Sequence, residues 1–208
     1  MESRRAESFS DGVFAVAITV LVFNLLPIAD TSIHRFSELT RYWPEYAAYA
    51  GSFLTIGIMW LNHHTVLSYL NRVDRVVLVL NVVLLMGVVA VPFPTALIAD
   101  SLKSQPTVSP EVAAVAYGLL LSAMSIAFAS MWFYIAAHQA KLATRPIDAP
   151  VLSTLRFAAG LVGYIAGTLL ALAWPLISVI IYALIAVYYV FEHLPDPVSA
   201  AAASGPDV

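Results

Sequence analysis

Few side chains in this sequence could do chemistry, and most of them have a plainer use. His63 and His64 stand side by side in MWLNHHTVLSYL. Neighbours on a helix point about 100° apart, whereas paired metal ligands share one face at i, i+4. No carboxylate accompanies them, so they read as histidines that hydrogen-bond another helix, and no metal site is expected. A hydrolase needs a nucleophile, a base and an orienting acid within reach of one another. Here the candidates are scattered toward opposite ends of apolar segments, so neither an enzyme nor a cofactor is expected. The unusual stretch is RRAESFSDGVFAVAITVLVFNLLP, from Arg4 to Pro27. It places Arg5, Phe9, Ser10 and Asp11 at the start of an apolar segment and Thr19 at its middle, and a simple anchor would need neither.

The elements that must position these residues are membrane helices. Of the 208 residues, 61% are hydrophobic and only 11% are charged, against about a quarter charged in soluble domains. A net charge of −3 implies no nucleic-acid partner. Charge-free stretches run over 12–29, 46–71, 76–99, 112–140 and 157–191, and roughly 20 apolar residues suffice to cross the hydrocarbon core. The last stretch would be about 52 Å long as one helix, too long for a single crossing, and Trp174-Pro175 interrupts it where proline breaks a helix. The expectation is an all-α, six-helix membrane bundle over residues 1–192, with spans near 9–28, 46–69, 76–99, 112–138, 154–174 and 176–191. The small, polar-flanked tail 193–208 is expected to be disordered.

With the N-terminus in the cytoplasm, the inner segments hold Arg4, Arg5, Arg72, Arg75, Lys141, Arg145 and Arg156, and the outer ones Arg35, Arg41 and Lys103. That asymmetry fits the positive-inside rule; the C-terminal tail has no basic residue to test its side, and six spans would return it to the cytoplasm. Glu2, Glu7 and Asp11 argue against a cleaved signal peptide. No Asp, Glu, Lys or Arg lies at mid-depth of a span, which counts against a proton- or sodium-coupled pump. The segment GLVGYIAGT, 160–168, has a superficial likeness to a potassium-channel filter, but such filters are non-helical backbone in a re-entrant loop. Gly160, Gly163 and Gly167 instead have the spacing that lets helices approach closely.

On the first span, Val16, Thr19, Val20 and Phe23 share one helical face. Read without further context, that stripe is a helix–helix contact, with Thr19 bonded back to the carbonyl of Ala15. Ser10 and Asp11 are expected at the helix start, capping free N–H groups. Asp11 would pair with Arg5 or His63, and Phe9 would wedge against neighbouring helices. A ring of Asp11 carboxylates binding ions directly is the rival reading.

Arg5-x-x-x-Phe9-Ser10-Asp11 at the cytoplasmic start of the first span resembles the signature of the TMEM175 family of cation channels. The continuation GVFAVAIT and Trp60-x-x-His63 in the second span resemble the family too, although Leu67 stands where an aromatic would be expected. The resemblance implies a homotetramer in the cell membrane, with four copies of the first helix lining a central pore. It implies passage of potassium and other monovalent cations without a P-loop filter. It further implies that Val16, five residues past Asp11, forms an apolar constriction with Val20 and Phe23, and that the Thr19 hydroxyl contributes to ion selection. Valine leaves more room than leucine or isoleucine, so modest preference for potassium over sodium would rest more on Thr19. Arg5, Phe9, Ser10, Asp11, Trp60 and His63 would form the supporting network. A secondary transporter and a non-transporting membrane scaffold remain as alternatives.

Overall fold

The computed structural model describes residues 3–29, 33–144 and 150–191, and the described residues form helices joined by short loops. Helix α1 covers Ser3–Val20 and tightens into a 3-10 segment, Leu21–Leu25, followed by a short helical turn, Leu26–Ala29. Helix α2 spans Trp43–Ser68 with Pro44 in its first turn, where the missing N–H costs nothing. Helix α3, Arg75–Ala90, starts at Asp74, whose carboxylate accepts the N–H groups of Val76 and Val77. Pro92 interrupts it, and α4, Pro92–Ser101, carries the same segment onward. Helix α5 is Pro110–Ala137, capped by the Ser109 hydroxyl. Helices α6, Pro150–Leu170, and α7, Pro175–Phe191, face each other across the turn at 171–174. The tail 193–208 and Arg145 lie outside the described residues, and so does the side chain of Arg156.

Three segments, Ser3–Ile28, Arg75–Ser101 and Pro110–Ala137, are long and apolar enough to cross a membrane, and two shorter apolar helices lie in α6 and α7. Large apolar side chains cover much of the outside, among them Met86, Phe93, Phe133, Leu169 and Leu184. On a soluble protein so much exposed hydrocarbon would drive aggregation; within a bilayer it faces lipid.

Two cores hold the bundle. One lies among α1, α2, α3 and α5, around Phe14, Leu21, Ile56, Leu84, Met124, Met131 and Trp132. The other joins α5 to α4, α6 and α7 around Ile98, Tyr117, Leu121, Tyr164 and Tyr182. The α6–α7 contact depends on missing side chains: a Cβ at Gly163 would come within 2.8 Å of Ile185 Cδ1, and one at Gly167 within 2.7 Å of the Tyr182 ring. On the side where α2 and α5 end, Asn71 N–H bonds to the Leu142 carbonyl and Thr144 N–H to the Tyr69 carbonyl. These two bonds clip the loops together.

Candidate ion pathway and its polar support

The buried face of α1 carries Ala6, Ser10, Phe14 and Ala17 at helical spacing, and Leu21 continues it into the 3-10 segment. Small residues at three of the four α-helical positions let α1 lie close to α2 and α3. Ser10 lies at the centre of a buried relay. Its hydroxyl donates to the Ala6 carbonyl (2.8 Å) and accepts from Nδ2 of Asn81 on α3 (2.9 Å). With the amide turned that way, Asn81 Oδ1 faces Nε2 of His63 at 2.7 Å and accepts its proton. Ser10, Asn81 and His63 are all essentially inaccessible to solvent. The His63 ring also packs on Phe14, with centroids 5.3 Å apart. One amide on α3 thus joins α1 to α2.

A second set of ties lies nearer the surface. Trp60 Nε1 donates to Asp11 Oδ1 at 2.8 Å, and one turn away on each helix Glu7 and His64 pair at 3.0 Å. Trp60 and His64 rings lie 5.9 Å apart, so the two bonds form one patch between α1 and α2.

This geometry corrects details expected from the sequence. Helix α1 begins at Ser3, so Ser10 and Asp11 lie two turns inside it and cap nothing. Arg4, Arg5 and Glu7 are compatible with helix, and no glycine or proline stops it earlier. Asp11 takes the Trp60 indole rather than Arg5 or His63, because Arg5 is on the exposed face and His63 is already bonded to Asn81. Phe9 is 59% exposed within the protomer. Leu67, the departure noted in the second span, is buried in the core.

The opposite face of α1 is uncovered. Arg5, Phe9, Gly12, Val16 and Thr19 follow one another at spacings of three or four and are exposed, and Phe23 continues the row. Val16 is 58% and Phe23 60% exposed, whereas Val20 is half-buried at the edge of this face. Thr19 Oγ1 donates to the Val16 carbonyl at 2.8 Å, not to that of Ala15. Its proton is therefore engaged, and its lone pairs are left to accept or to coordinate.

Asn81 was not singled out from the sequence, although a signal was there. A lone amide in the apolar run VLVLNVVLL must find partners or suffer the cost of burial without them. Glu7 and His64 gave no comparable signal as a pair, since they come from distant parts of the chain.

Comparison with known proteins follows the same residues. Residues 5–92, which contain α2, α3 and all but the first two residues of α1, match the family described as endosomal/lysosomal potassium channel TMEM175. A potassium channel of Streptomyces collinus is 43% identical over 205 residues, 97% of this chain and 98% of that one. A potassium channel of Chamaesiphon minutus is 37% identical over 196 residues, 90% of this chain and 93% of its own. The crystal structure of a lysosomal potassium-selective channel TMEM175 homolog from Chamaesiphon minutus superposes with a TM-score of 0.74 at 32% identity, covering 90% of this chain and 96% of that one. With several helices able to cross a bilayer and relatives matched from end to end, this multi-pass membrane protein belongs to the TMEM175 family.

Proposed function

We propose that the chain is a potassium-permeable cation channel of the cell membrane, formed by four copies whose α1 helices surround a central pore. The observation that carries this reading is the division of α1 into two faces. One is fastened to α2 and α3 through Ser10, Asn81, His63, Asp11 and Trp60. The other presents Val16, Thr19 and Phe23 with no covering helix among the described residues. One helix cannot enclose a lumen, so the uncovered face calls for further copies. The near full-length relatives named as potassium channels support the choice of ion.

In this reading Val16 and Phe23 narrow the lumen with carbon that cannot replace an ion's hydration water, and such a constriction resists wetting. Val20 shoulders the ring from the edge. Thr19, its proton held by the Val16 carbonyl, offers oxygen lone pairs to a cation between the apolar rings. The excess of Lys and Arg in the segments on the N-terminal side supports a cytoplasmic N-terminus, and an even number of spans would return the C-terminus to the same side.

Purified protein in proteoliposomes loaded with potassium tests the proposal, with an ionophore setting the ceiling of release. Expected are potassium flux and a tetramer by native mass spectrometry in mild detergent. Absence of flux from correctly folded protein, or flux from a strict monomer, would reject it.

A further inference from the structure

The outer end of α1 departs from the α-helix, and a single side chain stands at that departure. Leu21–Leu25 are wound as a 3-10 helix, a form that inside a longer helix often marks strain or a functional site. Within it, Asn24 is half-buried, and its Nδ2 donates to the carbonyl of Pro92 at 3.2 Å. Pro92 is the first residue of α4, immediately beyond the break in the α3–α4 segment, where the Val91 N–H turns back to the Val88 carbonyl at 3.2 Å. The amide therefore ties the tightened part of α1 to the one interruption of its neighbouring segment.

The winding decides where Phe23 points. An α-helix turns about 100° per residue and a 3-10 helix about 120°. Three residues of 3-10 winding, Leu21 to Phe23, rotate the Phe23 side chain by roughly 60° relative to an unbroken α-helix. They also carry it roughly 1.5 Å further along the axis, because the rise is about 2.0 Å rather than about 1.5 Å per residue. With this winding Leu21 is fully buried while Phe23 is 60% exposed. Relaxing the segment to α would turn Phe23 back through that angle.

We infer that Asn24 is a positioning residue for the outer part of the ion pathway: by holding Leu21–Leu25 in the 3-10 form through the Pro92 carbonyl, it fixes the direction in which Phe23 faces the lumen. The inference rests on the channel reading above, and it assigns a role in permeation to a side chain that need not touch the ion. Asn24→Leu removes the donor at similar volume, and Asn24→Asp sets a carboxylate against the carbonyl.

The test is single-channel recording in planar bilayers. Asn24→Leu should change unitary potassium conductance at least twofold while leaving the tetramer assembled. In a Phe23→Ala background the same substitution should have no further effect, because the side chain it aims is gone. If Asn24→Leu fails to assemble, Asn24→Asp is read by a second measurement. The chain has no cysteine, so Phe23→Cys alone gives a unique thiol, and its modification by a water-soluble reagent should slow at least tenfold when combined with Asn24→Asp. Wild-type conductance in Asn24→Leu, an undiminished effect without Phe23, or unchanged thiol reactivity would overturn the inference. Silence of the wild-type protein would instead reject the channel reading itself, so the two failures are distinguishable.

Discussion

Replacing Asn81 by leucine strikes the protein where one residue serves two others. Asn81 Nδ2 donates to Ser10, and Oδ1 receives the His63 proton. Leucine is close in volume, so the substitution removes hydrogen bonds without opening a large cavity. Ser10 keeps its bond to the Ala6 carbonyl and loses only an incoming donor. His63, which is 1% exposed, loses its Nε2 partner outright. A buried polar group left unsatisfied costs roughly 1–3 kcal/mol, and for a chain of this length each kcal/mol is worth roughly 2–4 °C of melting temperature. Asn81→Leu should therefore melt several degrees below wild type in detergent. Replacing both partners by apolar groups is far less damaging than orphaning one. The double variant Asn81→Leu, His63→Phe should accordingly recover part of the loss, whereas simple addition of two independent defects would deepen it. A double variant that melts at or below the sum of the singles would refute the relay as drawn.

The other expectations are shorter. Val16→Ala should raise conductance with the tetramer intact, and Val16→Asn should raise it further by hydrating the ring; equal currents from all three at equal reconstituted density would remove Val16 from the limiting constriction. Trp60→Phe takes the donor from the Asp11 carboxylate, a charge-assisted bond worth roughly 1.5–3 kcal/mol. It should lower melting temperature while leaving the potassium-to-sodium reversal potential unchanged, and a shifted reversal potential in a stable Trp60→Phe tetramer would support the ion-ring role for Asp11. Burial alone would raise the Asp74 carboxyl, but bonds from Val77 N–H, the Tyr134 hydroxyl and Val76 N–H, helped by the charge of Lys141, outweigh it and hold the group below the ordinary carboxylate value. Its contribution is thus fully present above the unfolded carboxylate pKa and is lost as pH falls through the lowered one. Asp74→Ala should cost about 1 kcal/mol at neutral pH and lose part of the acid-induced fall in melting temperature; an identical pH profile would contradict the assignment.

The all-helical membrane architecture and the family were legible because both are written in local signals. Apolar runs between charges mark helices, and Arg5, Phe9, Ser10 and Asp11 stand at a fixed spacing on one of them. Partner choice was not legible, because it is settled between segments. Asp11 had Arg5 six residues away, about 9 Å along the helix, yet it bonds to Trp60, 49 residues distant. The start of α1 at Ser3 demoted Ser10 and Asp11 from caps to interior residues, and sequence could not tell how far a charged N-terminal stretch continues as helix. Thr19 chose the carbonyl three residues back rather than four. The 3-10 winding at Leu21–Leu25 leaves no trace in residue type, and with it went any chance of recognising Asn24 beforehand.

The relay through Asn81 also sets the mechanics of the subunit. Small residues on the buried face of α1 bring it close to α2 and α3, and Phe14 is locked against His63 between them. Rotating α1 about its own axis by one residue, about 100°, would pull Ser10 off Asn81 and drive Phe14 out of a fully packed site. Sliding it by one turn would misalign both Ser10 and Asp11 with their partners at once. The N-terminal half of α1 is therefore coupled to α2 and α3, so that a tilt of one strains its bonds to the other two. That stiffness extends to Val20, beyond which the winding changes and a different bond, from Asn24 to the Pro92 carbonyl, holds the chain.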